Sequence, residues 1–279
     1  MLASGTYMLV ASGLTLIFGA MKIINFAHGE LVMVGAYVSY WLFAIFHLDP
    51  LLSLPVSFVV VGLLGAIIQQ TAIWPVLRSK SHLNQILATF ALSLVLQNAA
   101  LLLWTADTRK ATPPYTTAGF QVAGLSFGVP QLLSFAVAIP LMLGLFIWLR
   151  RSTSGKMIRA VSQDPLGSEL VGISVNRVYL IAFVLAAALA GAAGSLISFT
   201  QYVSPTVGLP LSLKAYAIVI LGGQGSIVGA VIGSMILGVV ESLTSLYLSS
   251  TAASAIAFVI VIAVLAIRPG GLYGSSSQT

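Results

Sequence analysis

Eight long stretches of this chain carry no Asp, Glu, Lys or Arg, and nothing else in it narrows the fold as much. They run from Met1 to Met21, Leu31 to Leu48, Leu51 to Leu77, Ser81 to Ala106, Ala111 to Leu149, Val178 to Leu213, Ala215 to Val240 and Ser242 to Ile267. About 20 apolar residues cross a bilayer as a helix. In lipid the backbone must satisfy its own polar groups, which an α-helix does within one segment. A membrane barrel would show short segments of alternating polarity, and these runs do not alternate. Of the 279 residues, 58% are hydrophobic and 6% charged, whereas a soluble domain has roughly a quarter charged. So much apolar surface has no place in one water-soluble core. The sequence predicts an all-α polytopic membrane bundle, one domain over 1–279 with about eight spans.

Several function classes fall away. There is no cysteine, so disulfides and thiolate metal sites are excluded. Two residues apart on a helix, His28 and Glu30 diverge. With no HExxH beside them, no metal site is expected. No GxSxG or Walker A motif occurs, so neither a catalytic residue nor ATP hydrolysis by this chain is expected. The pI is near 9.7, but the basic residues sit in short loops, where membrane orientation explains them. No nucleic acid is therefore expected as a partner. The first apolar run lacks a basic leader and a small-residue cleavage site, so it does not read as a signal peptide. An ion-coupled secondary transporter would need a relay of intramembrane acids. The sequence offers Glu30 and Glu241 alone for that.

The expected spans are about 2–20, 29–47, 51–74, 83–105, 131–149, 177–200, 213–247 with a break, and 251–267. Arg78 and Lys80 mark one cytoplasmic loop. Arg150, Arg151, Lys156 and Arg159 mark another over about 150–176. The loop at about 106–130 and the Asp49-Pro50 turn are then outside, with the amino terminus. Tyr202 to Pro210 should also be outside, while Arg268-Pro269 reads as a cytoplasmic stop. Joining them takes an odd number of crossings, yet 211–221 is too short to cross upright. Those residues either return as a half-helix or cross at a steep tilt.

Two apolar stretches are interrupted. Gly222, Gly223 and Gly225 loosen the later one. Asn25, His28 and Glu30 interrupt the earlier one. Broken helices at membrane depth need protein or a water-filled cavity around them, and they point to a transport pathway. The three polar residues either line a pathway or gate, or form a solvated interfacial turn with Asn25 capping the next helix. Thr89, Ser93 and Gln97 share one helical face, which either lines a pathway or makes interhelical hydrogen bonds. Glu241 is expected at the membrane interface rather than paired with a base. Small residues at fourth-residue spacing, Gly225/Gly229/Gly233 and Ala187/Gly191 among them, suggest close helix packing.

Residues 150–176 read as two short surface helices. Ser154 is expected to cap the first. Asp164-Pro165 supplies N-cap and N1 of the second, with Glu169 near its positive end and Gly172 at its C′ stop. Met157, Ile158, Val161, Leu166, Leu170 and Val171 need a cover. A partner's groove fits better than the membrane surface, because Gly155, Gly167 and Gly172 leave little bulk in the way.

The stretches "GLTLIFGAMKIINFAHGELVMVGAYVSY", "GKMIRAVSQDPLGSELVGISVNRVYLIAFVLAAALAGAAGSL", "LKAYAIVILGGQGSIVGAVIGSMILGVVES" and "RPGGLYG" resemble the permease family of branched-chain amino acid ABC importers, most closely its LivH-type subunit. The resemblance covers nearly the whole chain in order. It implies a permease moving leucine, isoleucine and valine across the cytoplasmic membrane of a prokaryote. Related permeases carry urea, short amides or other amino acids. The implied partners are two ABC ATPase subunits holding ATP and Mg, a LivM-type paralogue or a second copy of this chain, and an extracytoplasmic solute-binding protein. No cofactor is implied on this chain. Gly155, Arg159, Asp164, Glu169 and Gly172 then belong to the helix pair that couples to the ATPase.

Overall fold

The computed structural model describes residues 4–79, 81–122, 125–247, 250–268 and 270–273. Lys80 and Pro269, which entered the orientation argument, lie outside them. Helix α1 (Ser4–Met21) is followed by α2 (His28–Phe46) and α3 (Pro50–Ile68). A π-helical turn, Gln69–Ile73, carries α3 into α4 (Trp74–Leu77) without a break. Next come α5 (His82–Trp104) and a small antiparallel hairpin, β1 (Gly119–Val122) with β2 (Leu125–Gly128), which pairs Gly119 with Gly128. Then follow α6 (Val129–Arg151), α7 (Thr153–Gln163), α8 (Pro165–Leu170), α9 (Val175–Thr200), α10 (Gly208–Gly222), α11 (Ile227–Tyr247) and α12 (Ser250–Ile267). Among the described residues seven helices are long and apolar enough to span a membrane: α1, α2, the continuous α3–α4, α5, α6, α9 and α11. The helical membrane bundle expected from the charge-free runs is the observed fold. The hairpin is an addition at one end, where water relieves the demand for self-contained helices.

Helix α9 is the axis, buried along Ala186–Phe199 and packed against α1, α2 and α3. Small residues set the approach distances. A Cβ added to Gly35 would sit 2.6 Å from Gly191 Cα, and one on Gly194 would sit 2.3 Å from Val32 O. Lipid gives helices no hydrophobic reason to associate, so such backbone proximity supplies the dispersion that holds them. Hydroxyls supplement it. Ser39 and Ser53 are 2.6 Å apart, Ser39 and Ser198 3.1 Å, and Ser195 donates to Pro50 O at 2.6 Å. This buried cluster ties the α2–α3 turn to α9. Asp49 caps α3 by accepting from Leu51 N at 2.8 Å, and Tyr115 donates to the same oxygen at 2.9 Å. Burial, and then the Asp49 carboxylate, push the Tyr115 phenol above its usual range.

The crossing problem in the later half has a definite answer. Val203 bridges to Arg109 in the loop at the hairpin end. From there the chain runs extended to Gly208, where α10 begins beside Gly29 of α2. Helix α10 ends at a turn in which Gly225 lies against Gly19 near the far end of α1. Gly223 (φ +101°) and Gly225 (φ +81°) both hold left-handed backbone there, which glycine adopts without strain. Helix α11 then returns, placing Gly238 against Ser4. Helix α12 comes back down, and Leu272 N and Tyr273 N donate to Leu221 O and Gly222 O at 2.9 and 3.0 Å. An extended segment plus the 15-residue α10 thus makes one crossing, and α11 and α12 make two more. The odd count is met with neither a returning half-helix nor a steeply tilted full one. The helix also starts earlier than the expected 213.

The two short helices at the basic end are present, with two changes. The cap of α7 is Ser152, whose Oγ accepts from Gly155 N at 2.9 Å, rather than Ser154. Helix α8 is only six residues long, so Glu169 stands near its C-terminal end and not its positive one. Asp164, Pro165 and Gly172 (φ +84°) take their expected cap, N1 and stop positions.

Candidate functional site

Between α1 and α2 the chain breaks over residues 22–27, and Lys22 turns it with φ +54°. Asn25, His28 and Glu30 all fall in or just after this break, and none has any exposed surface. Asn25 does not cap α2; its Oδ1 accepts from Ala27 N at 3.1 Å in a local turn. The His28 ring reaches across to α1, 3.0 Å from Val10 O. A carbonyl only accepts, so Nε2 carries the proton. Glu30 points the other way, as two-residue spacing requires, and Ser93 of α5 donates to its Oε1 at 3.1 Å. Thr89, one turn below Ser93, donates to Ile24 O in the break at 3.0 Å. Gln97 is half-buried one turn further on.

Helix α10 closes the site. Ser212 accepts from Gly29 N at 2.8 Å and donates to Phe26 O at 2.9 Å, stitching both sides of the break to α10. A Cβ on Gly29 would lie 1.9 Å from Gly208 O, and one on Gly208 would lie 2.2 Å from Glu30 Oε2. The Glu30 carboxylate therefore sits at the N-terminus of α10, where the helix dipole is positive. That offsets part of the cost of a membrane carboxylate, about 2.5–3.5 kcal/mol on insertion scales for charged residues. The Phe26 ring packs on Phe90 of α5 and Tyr216 of α10, at 6.2 and 5.5 Å between centroids. The site thus joins α1, α2, α5 and α10 through one interruption. The solvated-turn alternative does not fit three fully buried side chains.

A second polar centre joins α10 to α11. Lys214 Nζ lies 2.8 Å from Glu241 Oε1, Tyr7 of α1 donates to Glu241 Oε2 at 2.7 Å, and Lys214 donates to Tyr7 Oη at 3.0 Å. Glu241 is thus paired with a base and does not sit free at the interface. Lys214 and Glu241 break the charge-free runs 27 positions apart. Their separation hid the pairing, because only the turn at 223–226 brings α10 and α11 together.

At the basic end, Ile158 and Val161 are buried against the bundle, while Leu166, Leu170 and Val171 are 70, 83 and 76% exposed. Gly155 packs onto the last turn of α6, where a Cβ would meet Leu149 O at 2.2 Å. Arg159 donates to that same carbonyl. These two residues therefore anchor α7 to α6, and α8 with Asp164, Glu169 and Gly172 forms the outward face.

The family model described as branched-chain amino acid transport system / permease component matches residues 1–265. The chain belongs to this family. It is 35% identical to the high-affinity branched-chain amino acid transport system permease protein LivH of Salmonella typhimurium, over 96% of this chain and 91% of the relative. It is 34% identical to BraD of Pseudomonas aeruginosa, covering 96% and 92%. A probable LivH of Methanocaldococcus jannaschii is 32% identical, covering 97% and 89%. No solved structure matches. In this permease Gly222, Gly223 and Gly225 form the α10–α11 turn. They lie apart from Asn25, His28 and Glu30, at the other end of α10. The "RPGGLYG" stretch reaches that same turn through Leu272 and Tyr273.

Proposed function

We propose that this permease is the membrane-spanning subunit of an ATP-driven importer, translocating branched-chain amino acids delivered by an extracytoplasmic binding protein. The observation that carries the reading is α8. It presents Leu166, Leu170 and Val171 to solvent on a rigid mount fixed by Ser152, Gly155 and Arg159. An exposed apolar patch at the polar end of a membrane bundle fits a protein partner, and an ATPase groove is the partner that an importer needs. ATP and Mg then belong to two partner ATPase subunits, and a LivM-type paralogue or second copy completes the pathway in the cytoplasmic membrane of a prokaryote. The buried site at Asn25, His28, Glu30, Thr89 and Ser93 supports a gate, since α10 begins on it and all five side chains are buried. The names of the relatives favour leucine, isoleucine and valine as cargo.

The test is reconstitution in liposomes with the co-expressed ATPases, binding protein and any paralogous permease, following labelled leucine with urea and glutamate as rivals. Leucine uptake that requires both ATP and binding protein is expected. Another solute under the same dependence replaces the cargo and keeps the mechanism. Uptake driven by an ion gradient without ATP overturns the reading.

A further inference from the structure

At the hairpin end three hydrogen-bond donors, two on α2 and one in the loop after α5, lie near one another without an acceptor among the described residues. Arg109 is within electrostatic reach of Tyr37 and lies over the Trp41 ring. Tyr37 and Trp41 stand one turn apart on the same face of α2. The Tyr37 ring stacks on Trp104 at 4.2 Å and 16°. The guanidinium carbon of Arg109 lies 5.9 Å from the centre of the Trp41 ring. Arg109 is held in place: its N–H donates to Val203 O at 2.8 Å, and Val203 N donates back at 2.7 Å. Its Nη2 donates to Asp107 Oδ2 at 3.1 Å, an oxygen that Thr105 also engages at 2.8 Å. What remains is Tyr37 Oη, Trp41 Nε1 and Arg109 Nε, each shielded from solvent and, among the described residues, none meeting a protein acceptor.

Buried donors of this kind demand a partner. The indole and guanidinium groups can only donate, and Arg109 repels a cation, so the partner is an anion or a neutral acceptor. A carboxylate matches the edge of a guanidinium group in shape and charge. An interfacial aromatic belt would send its polar tips out to the headgroups, but Tyr37 has no exposed surface at all. We propose that Tyr37, Trp41 and Arg109 form an outer carboxylate site, which takes the carboxylate of the solute before it crosses. Asp107, with 69% of its side chain exposed, occupies Arg109 from the solvent side and is the internal competitor that the incoming carboxylate displaces. The site deepens the proposed function and rests on it for the identity of the solute, though not for the carboxylate.

The test uses the full chain in lipid nanodiscs, with Trp74→Phe and Trp148→Phe so that fluorescence reports Trp41 and Trp104. Leucine, isovalerate and isoamylamine are titrated in turn. Leucine and isovalerate are expected to give saturable changes, and isoamylamine none. Tyr37→Phe and Arg109→Lys each weaken isovalerate about tenfold, the scale of one lost hydrogen bond to a charged group. Asp107→Asn tightens it. Tyr37→Phe leaves the melting temperature of the solute-free protein unchanged, because its hydroxyl meets no protein acceptor. A site that merely holds structural water gives the reverse pattern, a lower melting temperature and an unchanged titration, and that overturns the proposal. So does an equal response to isoamylamine, or no saturable response to either carboxylate in folded protein. Arg109-dependent binding of isovalerate without leucine transport in the reconstituted importer keeps the site and removes the amino-acid cargo. Leucine transport with no carboxylate response does the opposite.

Discussion

Gly29 and Gly208 meet with no room for a methyl group on either, and Glu30 fills what space is left. Gly208→Ala is expected to lower the unfolding temperature in detergent, since overpacking costs about 1–3 kcal/mol. Ser93→Ala removes a hydroxyl that donates to Glu30 without adding bulk, and its smaller loss is the comparison. A Gly208→Ala protein that melts like the parent would mean that α10 does not start against Glu30. The sequence marked Asn25, His28 and Glu30 as out of place among apolar neighbours, and polarity in a greasy run suffices for that. It did not reveal which neighbours receive them. Val10, Ser93, Ser212 and Gly208 come from three other helices, and single-chain periodicity carries no information about such meetings.

Helix α10 is short, begins on a carboxylate and carries a lysine midway, so its place depends on polar contacts more than the long spans do. Lys214→Met leaves Glu241 with its charge and without its base, and a loss of about 3 kcal/mol is expected for a pair broken on one side. The double change Lys214→Met with Glu241→Leu should recover most of it, because a well-packed apolar pair replaces a buried ion pair at little cost. Thermal unfolding of the three variants checks this. Equal losses in single and double variants would mean that the loss comes from removing the pair itself and not from stranding the Glu241 charge. On α8 the expectation is the converse. Leu170→Asp changes a residue that is 83% exposed, so stability should hold while ATP-dependent uptake and co-purification of the ATPase fall severalfold. Arg159→Glu is a poorer probe of docking, because it also removes the donor to the end of α6.

The bundle was legible as a whole because charge-free runs of spanning length admit few alternatives in lipid. The boundaries of α2, α5, α6 and α9 fall close to those read from the sequence. The later half was less legible, because an extended segment followed by a short helix leaves no periodic signal. The carboxyl-terminal stretch contributes something that composition hides. Gly271 (φ +76°) turns the chain so that Leu272 and Tyr273 pair with the last carbonyls of α10, groups that a helix end leaves unmet. Removing residues 271–279 is expected to lower the melting temperature and open the α10–α11 turn to protease. Unchanged protection would show the pairing to be incidental. The chain is made from its amino terminus, so those carbonyls must wait until residues 272 and 273 have been made, about 50 residues after α10 itself. A nascent bundle that has inserted α10 and α11 but not yet received residues 272 and 273 holds α10 in place with its last turn still unlatched.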